Sequence, residues 1–421
     1  MKATKYITGA VLAISFLCGC ADVLRAVQLG ELTWFLTVLA ADSLFLLVAY
    51  AAWRGNMPWL LLACAVGGGC LFFFTNYSTY QLQQPALLIQ TVAAGLGCIA
   101  GTGLGIRRRV PMGRVPWLCV GAMSMILILS LGTWGVKTQA ARHRQGQPMR
   151  ELWAVPEQYD APNCSQPGSV EELVYTTHAN ATDSRPVQKR ALVYLPYGYD
   201  ETRQYNILYL LHGTGDDENY WLQTNSQNKD MLDRMIASGS IDPLIVVTPT
   251  FYVGEDCADS LDELTFSFRE ELRNDLMVAV EGKYSTFAAS CDEAGFAASR
   301  DHRAFAGLSR GAVTAANSAL CGSLDYFSWF GLFSAFRTTE GFLRENLQSE
   351  AFQDLPIHDL YMTSGNFDFA LLPQIRGYDM LLHAEPRLVA GVNTAFDVYP
   401  MRYHSQGNWH LALYNFLQRI F

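Results

Sequence analysis

The chain has 421 residues, a formal net charge of −9 and a hydrophobic content of 50%. Residues 1–140 hold nine Lys and Arg against three Asp and Glu, a net charge of +6, while the remainder holds 21 against 36, a net charge of −15. This acidic remainder excludes a basic surface for nucleic acid. The absence of Cys-x-x-Cys pairs and His clusters from the sequence predicts no metal and no cofactor.

The N-terminal third contains five apolar stretches, near residues 6–28, 32–53, 57–75, 85–106 and 116–136. Each is close to the roughly 20 residues that a helix needs to cross a bilayer. The sequence therefore predicts an all-α transmembrane region of about five helices over residues 1–137. The first stretch is also typical of a signal peptide, with a lipoprotein-like Cys20, but four further spans favour an uncleaved first helix.

Basic residues predict the orientation of these spans. Lys2 and Lys5 precede the first span, Arg54 follows the second, and Arg107 to Arg114 follow the fourth. All of them fall on one side if the N-terminus is cytoplasmic. An odd number of spans then places the rest of the chain outside the cytoplasm. We expect a multi-pass membrane protein with a linker at 138–169 and one extracytoplasmic α/β domain at 170–421.

Four cysteines lie outside the apolar stretches. They are Cys164, Cys257, Cys291 and Cys321. An oxidising compartment permits disulfides, and Cys257 and Cys291 flank one helical stretch. These two are the preferred pair, with free buried thiols as the alternative.

A buried strand near residues 205–211 ends in His212-Gly213-Thr214-Gly215. A His-Gly turn in such a place commonly offers a backbone N–H to an anionic intermediate. We expect the N–H groups of Thr214 and Arg310 to serve together in this way, with the His212 ring fixing the loop.

The most informative motif is Gly307-Leu308-Ser309-Arg310-Gly311. It joins a short apolar strand to a helix rich in small residues. A Gly-x-Ser-x-Gly at such a junction is typical of a nucleophile elbow, which lifts the serine hydroxyl above a sheet to attack an acyl carbon.

A serine nucleophile needs a base and an orienting acid, in the chain order serine, acid, histidine. Four histidines follow Ser309: His358, His383, His404 and His410. His404 is the preferred base because it follows a strand and precedes the last helix, and His410 is the second choice. Asp368 is the preferred acid, since it follows a strand and a Ser-Gly-Asn turn, whereas Asp397 lies inside a strand. The alternative role for Asp368 is capping a helix.

Several segments together resemble one family. They are Arg190 to Asp200, Leu208 to Trp221, Ala306 to Gly311, and the C-terminal run from His404 through Trp409. They resemble the feruloyl-esterase-like esterases of the α/β-hydrolase superfamily, which include acetyl-xylan esterases, S-formylglutathione hydrolases and mycolyltransferases. The resemblance covers about residues 170–421. It implies a mostly parallel sheet flanked by helices, with Ser309 as nucleophile, Asp368 as acid and His404 as base.

The chain departs from the family at two places. Arg310, Gly311 and Ala312 stand where the family usually has Met and two glycines, and Arg402-Tyr403 precede the histidine where it usually has two glycines. Both departures change the floor of the expected pocket.

The expected function is therefore a membrane-anchored serine esterase. Its substrates would be acyl or feruloyl esters, including carbohydrate-linked ones. Apart from the substrate, the expected partner is the lipid bilayer. Tyr220, Trp221 and Trp409 are candidates for stacking on a sugar or aryl group; the alternative is that they are core and rim aromatics. An acyltransferase that passes the acyl group to an envelope sugar or lipid stays open, as does a scaffold without activity.

Overall fold

The computed structural model describes residues 151, 154–254, 261–399 and 402–421. The five predicted membrane spans lie outside these residues. Across the described ranges, no helix is both long and apolar enough to cross a bilayer. Residues 141–366 and 373–421 form one compact unit, and the short stretch 367–372 is assigned to a second unit.

Eight strands build a single sheet in the order β1-β2-β4-β3-β5-β6-β7-β8. Their bounds are β1 Ser169–His178, β2 Pro186–Leu195, β3 Asn206–Leu211, β4 Leu244–Thr248, β5 Arg303–Leu308, β6 Trp329–Phe333, β7 Asp359–Gly365 and β8 Thr394–Tyr399. Strands β1 and β2 are antiparallel to their neighbours, while β3 to β8 pair in parallel. The α/β class and the mostly parallel sheet predicted from the sequence are confirmed.

Helices connect these strands on both faces of the sheet. The α-helices are α1 Glu157–Asp160, α2 Gln227–Ala237, α3 Leu261–Glu271, α4 Met277–Glu281, α5 Glu293–Ala298, α6 Arg310–Thr314, α7 Glu340–Leu347, α8 Leu371–Ala384 and α9 Gln406–Leu417. The described residues also contain three π-helical turns, Tyr220–Thr224, Leu272–Leu276 and Ala315–Leu320, and one 3₁₀ turn, Arg300–His302.

The central strands are buried on both faces. Every residue of β4, β5 and β7 is buried, and so is each of β3 after its first. Strands covered by helices on both sides show near-continuous apolar runs instead of alternation. Because β3 and β5 to β8 all run the same way, their carboxyl ends meet at one edge of the sheet, where α/β proteins place their ligand sites.

The described part of the predicted linker packs on the domain. Arg234 of α2 donates hydrogen bonds to the carbonyls of Ala161 at 2.6 Å and Pro162 at 2.8 Å. Further upstream, the Asn415 amide of α9 donates to the carbonyl of Glu151 at 2.8 Å. These bonds fix the backbone at Glu151, Ala161 and Pro162 against two helices.

The predicted disulfide between Cys257 and Cys291 is wrong for Cys291, the member of the pair that the structure describes. Cys291 is a free thiol, as are Cys164 and Cys321, and Cys257 lies outside the described residues. Burial raises the pKa of the Cys291 thiol, and raises that of the fully buried Cys321 to about 12. Both thiols therefore stay protonated at neutral pH and behave as small hydrophobic side chains.

A buried ion pair anchors the amino end of β5, the strand that leads to Ser309. Arg303 donates to both carboxylate oxygens of Glu281, at 2.7 and 2.9 Å, and the two side chains are 1% and 0% exposed. The hydroxyls of Tyr209 and Thr286 also donate to Glu281, at 3.0 and 2.7 Å. The pair is thus enclosed by hydrogen bonds on both sides, which is the condition for a buried ion pair to be tolerated.

We predict that Glu281→Gln lowers the free energy of unfolding by about 3–5 kcal/mol, because it leaves the Arg303 charge buried without its counter-charge. Urea unfolding of the full chain measures this. The control is Glu172→Gln, which removes one carboxylate from an ion pair with Arg190 whose side chains are 43% and 50% exposed. We expect it to cost about 1 kcal/mol or less. Equal effects of the two changes would contradict the assigned role of Glu281.

Candidate active site

Ser309 lies between β5 and α6 in a strained backbone conformation. Its φ is 49° and its ψ is −118°, in the region that L-residues rarely adopt. Its own N–H is used, donating to the carbonyl of Phe333 in β6 at 2.8 Å. The strained turn raises the side chain above the carboxyl edge of the sheet, as the nucleophile-elbow motif predicts.

The two glycines of the motif are required by close approach. A Cβ on Gly307 would overlap the backbone of Gly311, and a Cβ on Gly311 would overlap the carbonyl oxygen of His212. The turn is therefore possible only because both positions lack a side chain.

His404 is the histidine that the fold brings to Ser309. Its Nε2 lies 3.0 Å from the Ser309 Oγ. The imidazole packs edge-on against the Trp409 indole, with ring centroids 5.0 Å apart and planes at 89°. Trp409 is held in turn by a hydrogen bond from its Nε1 to the Ser334 Oγ at 3.0 Å. A serine hydroxyl within hydrogen-bond reach of an imidazole is the geometry that general-base activation requires.

The loop after β3 lies directly beside Ser309. A Cβ added to Gly213 would lie 3.3 Å from the Ser309 Cβ. The N–H groups of Thr214 and Arg310 have no protein acceptor among the described residues. They are the two N–H groups that the sequence predicts as donors to the anionic intermediate.

The His212 ring fixes this loop, as expected. It is 1% exposed, and burial lowers its pKa to about 4, so the ring is neutral at pH 7. Nδ1 lies 2.7 Å from the carbonyl of Gly213, to which it donates. Nε2 then accepts from the Thr250 hydroxyl at 2.7 Å. The ring also stacks on Phe251 at 4.6 Å, so the loop is tied to the strand end at Thr250.

Asp368 follows β7 in the chain, three residues after its last residue, Gly365. It is buried, and its Oδ1 accepts from the N–H of Ala370 at 2.8 Å, an Asx turn that precedes α8. The loops after β7 and β8 meet nearby: Asn366 donates to the carbonyl of Tyr399 at 2.9 Å, and a Cβ on Gly365 would overlap the backbone of Arg402. These contacts join the segment at the end of β7 to the segment after β8 that leads to His404.

The other candidates have structural partners elsewhere. His410 lies in α9 and bonds Asn228 at 2.6 Å and Asp160 at 3.0 Å. His358 pairs with Asp301 at 2.9 Å, at the amino end of β7 and far along that strand from the site edge. His383 pairs with the exposed Glu340 at 3.0 Å.

Asp397, the alternative acid, is buried within β8 and accepts from the Tyr361 hydroxyl at 2.5 Å. Its place inside the strand, rather than in a loop beyond it, gives no reason to prefer it to Asp368.

The three aromatic candidates are not equivalent. Trp221 is 1% exposed, belongs to the core and donates from Nε1 to the carbonyl of Leu211 at 3.0 Å. Substrate stacking on its ring is therefore wrong, because no face of the ring is accessible. Tyr220 and Trp409 are 7% and 8% exposed and meet edge to face, 6.1 Å apart. They form part of the wall behind His404.

Sequence reasoning missed Ser334 and Asn408, which support this wall. Ser334 has a φ of 58° after β6, and its hydroxyl accepts from Asn408 at 2.7 Å as well as from Trp409. No motif marks either residue, since the contact joins positions 74 residues apart. Within the described residues no group of His, Cys, Asp or Glu could hold a metal ion.

A serine at a positive-φ elbow on a mostly parallel, helix-flanked sheet, with a histidine at 3.0 Å from its hydroxyl, defines an α/β-hydrolase site. Residues 186–355 match the family described as "Putative esterase". The chain is 41% identical over 175 residues to endo-1,4-beta-xylanase Y from Acetivibrio thermocellus, and 28% identical over 152 residues to an endo-1,4-beta-xylanase/feruloyl esterase from Xylanibacter ruminicola. These alignments cover 42% and 35% of this chain, but only 15% and 19% of the two relatives.

Solved structures agree with the family match. A serine-to-alanine mutant of the feruloyl esterase module from Clostridium thermocellum, complexed with sinapinate, is 31% identical with a TM-score of 0.56. The comparison covers 65% of this chain and 95% of that module. A ferulic acid esterase from Anaeromyces mucronatus, 18% identical with a TM-score of 0.52 over 65% of this chain and 98% of its own, supports the fold. The chain belongs to this esterase family of serine carboxylic-ester hydrolases.

We predict that His404→Ala lowers kcat/KM for ester hydrolysis on the order of 10⁴-fold or more, because Ser309 loses the imidazole that lies 3.0 Å from its hydroxyl. The matched variant is His410→Ala. Burial lowers the pKa of His410, and its two hydrogen bonds are structural, so we expect a reduced unfolding temperature with kcat/KM within about tenfold of wild type. Initial rates and thermal unfolding of both variants provide the measurement. A dead His410→Ala that remains folded would reverse the assignment.

Proposed function

We propose that the protein is a membrane-anchored, extracytoplasmic serine esterase that hydrolyses acyl or feruloyl esters, including carbohydrate-linked ones, through Ser309, His404 and Asp368. The 3.0 Å separation of the Ser309 Oγ and the His404 Nε2 is the observation that carries the proposal. The similarity to a feruloyl esterase module crystallised with sinapinate supports an aromatic acyl group.

The proposed reaction runs through an acyl-enzyme. The Ser309 Oγ attacks the ester carbonyl carbon while His404 Nε2 takes the hydroxyl proton, and Asp368 stabilises the imidazolium that forms. The N–H groups of Thr214 and Arg310 donate to the negative oxygen of the tetrahedral intermediate. His404 then returns the proton to the leaving alkoxide, so the alcohol departs and the acyl group stays on Ser309. Water, deprotonated by His404, attacks the acyl-enzyme and releases the acid.

Fixed surroundings support each role. The neutral His212 holds the Thr214 loop through Gly213, and Trp409 restricts the tilt of the His404 ring. Preorganised donors of this kind need no rearrangement when charge develops, and the loss of one typically costs on the order of 10² to 10³ in kcat.

We predict that Ser309→Ala abolishes hydrolysis of methyl ferulate by several orders of magnitude while leaving the unfolding temperature unchanged. Ser349→Ala is the matched control, since the hydroxyl of that serine donates to the carbonyl of Asn346 in its own turn. Product analysis in the presence of glucose tests the second candidate: release of ferulate is the hydrolase outcome, and feruloyl glucose the acyltransferase outcome. Retention of more than a tenth of wild-type turnover by Ser309→Ala would refute the proposed nucleophile.

The topology forms a separate part of the proposal. The basic residues around the five apolar stretches place residue 138 onward outside the cytoplasm. Cleavage at Cys20 would leave four spans with the same placement of the domain, because a cleaved signal also leaves the new N-terminus outside.

We predict that protease added to intact spheroplasts releases an active fragment. The cut is expected within residues 138–150, because the backbone carbonyls of Glu151, Ala161 and Pro162 are hydrogen-bonded to α9 or α2. Edman sequencing of the fragment and its esterase activity check both points. Complete protection until the membrane is permeabilised would overturn the orientation while leaving the esterase assignment intact.

A further inference from the structure

Two arginines, one of which directly follows Ser309 in the chain, share one carboxylate. The Arg310 Nη1 donates to the Asp262 Oδ1 at 2.7 Å, and the Arg337 Nη1 donates to the same oxygen at 2.8 Å. We call these three residues the arginine pair and its bridging aspartate. Hydrogen bonding from Arg310 lowers the pKa of Asp262, so the carboxylate is ionised at neutral pH and the group carries a net charge of +1.

Both arginines come from the edge of the sheet that carries the site. Arg310 directly follows Ser309, at the start of α6. Arg337 follows β6, which pairs with β5 such that Phe333 lies opposite Leu308, the residue before the serine. The bridging Asp262 lies in the first turn of α3. The positive group therefore includes the residue that directly follows the candidate nucleophile, and its second arginine follows the strand paired with β5.

The pair has hydrogen-bonding capacity to spare. A guanidinium carries five N–H donors in a planar fork. Among the described residues Asp262 is the sole acceptor of either side chain. The Arg337 side chain is 63% exposed and that of Arg310 is 16% exposed. One guanidinium thus faces solvent, while the other is shielded, where a charge acts more strongly.

A purely structural role would not need this excess. One arginine neutralises Asp262 and anchors the start of α3, and a second cation on the same oxygen leaves a positive charge unbalanced. The rest of the extramembrane sequence is acidic, with a net charge of −15 after residue 140. A local positive charge in an acidic domain selects an anion at short range and does not attract anions from a distance.

We propose, on the basis of the esterase function proposed above, that Arg310 and Arg337 bind an oxyanion of the substrate, so that the preferred esters carry a carboxylate or a phosphate near the scissile bond. Planar guanidinium groups match both oxyanions bidentately. Uronic acid esters are the carbohydrate form of the first class, and sugar-phosphate esters are the form of the second.

The test compares three feruloyl esters on the full chain, those of glucose, glucuronic acid and glucose 6-phosphate. We expect higher kcat/KM for one or both anionic esters than for the glucose ester at low ionic strength, and a preference that falls as NaCl is raised to 1 M. The two anionic esters distinguish carboxylate from phosphate as the ligand.

Two variants move the preference in opposite directions. Arg337→Gln removes an anion contact and lowers the ratio of kcat/KM for the anionic ester to that for the glucose ester by about tenfold. Asp262→Asn removes the competing carboxylate, leaves a net charge of +2 and keeps or raises that ratio. Arg344→Gln is the matched control: Arg344 pairs with Glu340 on the surface of α7, and its loss leaves the ratio unchanged.

Other outcomes overturn the proposal. Equal kcat/KM for the three esters would mean that the pair is neutralised, for instance by Glu255, Asp256 or Asp259 of the segment before Asp262. A parallel loss on all esters in Arg337→Gln and Asp262→Asn would mean that the pair only clamps α3. If a variant fails to unfold cooperatively, the salt dependence of the wild-type preference decides alone. Hydrolysis of the glucose ester without any anionic preference rejects this inference only, whereas no hydrolysis of any ester rejects the esterase function and the inference with it.

Discussion

The backbone of Ser309 is the constraint on which the site depends. A non-glycine residue at a φ of 49° costs roughly 1–3 kcal/mol and persists only where the surroundings determine it completely. Here Gly307 has no room for a Cβ because β5 meets α6 at that point, and Gly311 has none because α6 meets the end of β3. The opposite end of the same strand is fixed by the enclosed Arg303–Glu281 pair. A strand held at one end by buried charge and along its length by neighbours on both sides can support a strained turn at the other.

The rest of the site is assembled by loops that leave the same edge of the sheet. Each loop is tied to a neighbouring strand end: His212 bonds Thr250, Ser309 bonds Phe333, and Asn366 bonds Tyr399. Through these hydrogen bonds, the positions of the loops depend on the register of the strands. That register is strongly specified because the strands are buried. The His404 ring rests on Trp409, which Ser334 anchors. The base is thus positioned through side chains from β6 and α9.

The fold and the Ser309–His404 pair could be predicted because short sequence patterns determine them. The Gly-x-Ser-x-Gly motif indicates a close approach of three backbone segments. A histidine between the last strand and the last helix must lie at the carboxyl edge of the sheet. Trp221 shows where this reasoning stops, since its aromatic neighbours suit a rim as well as a core, and only the packing distinguishes the two. Ser334 and Asn408 were beyond prediction because their contact depends on how β6 and α9 lie across the sheet. Residues 1–150 carry the strongest composition signal in the chain, and their predicted spans stay a prediction.

Arg310 illustrates how an α/β-hydrolase site can change specificity without disturbing catalysis. In our proposal its backbone N–H serves the oxyanion, and that group is present whatever the side chain is. The side chain points instead to Asp262, where it meets Arg337. Backbone donors on a rigid elbow and side-chain charges on the surrounding loops are therefore separable by substitution. Because a guanidinium fork discriminates among oxyanions by geometry and charge, a change at this one side chain alters which ester binds, while the strained serine and its glycines still determine that an ester is attacked.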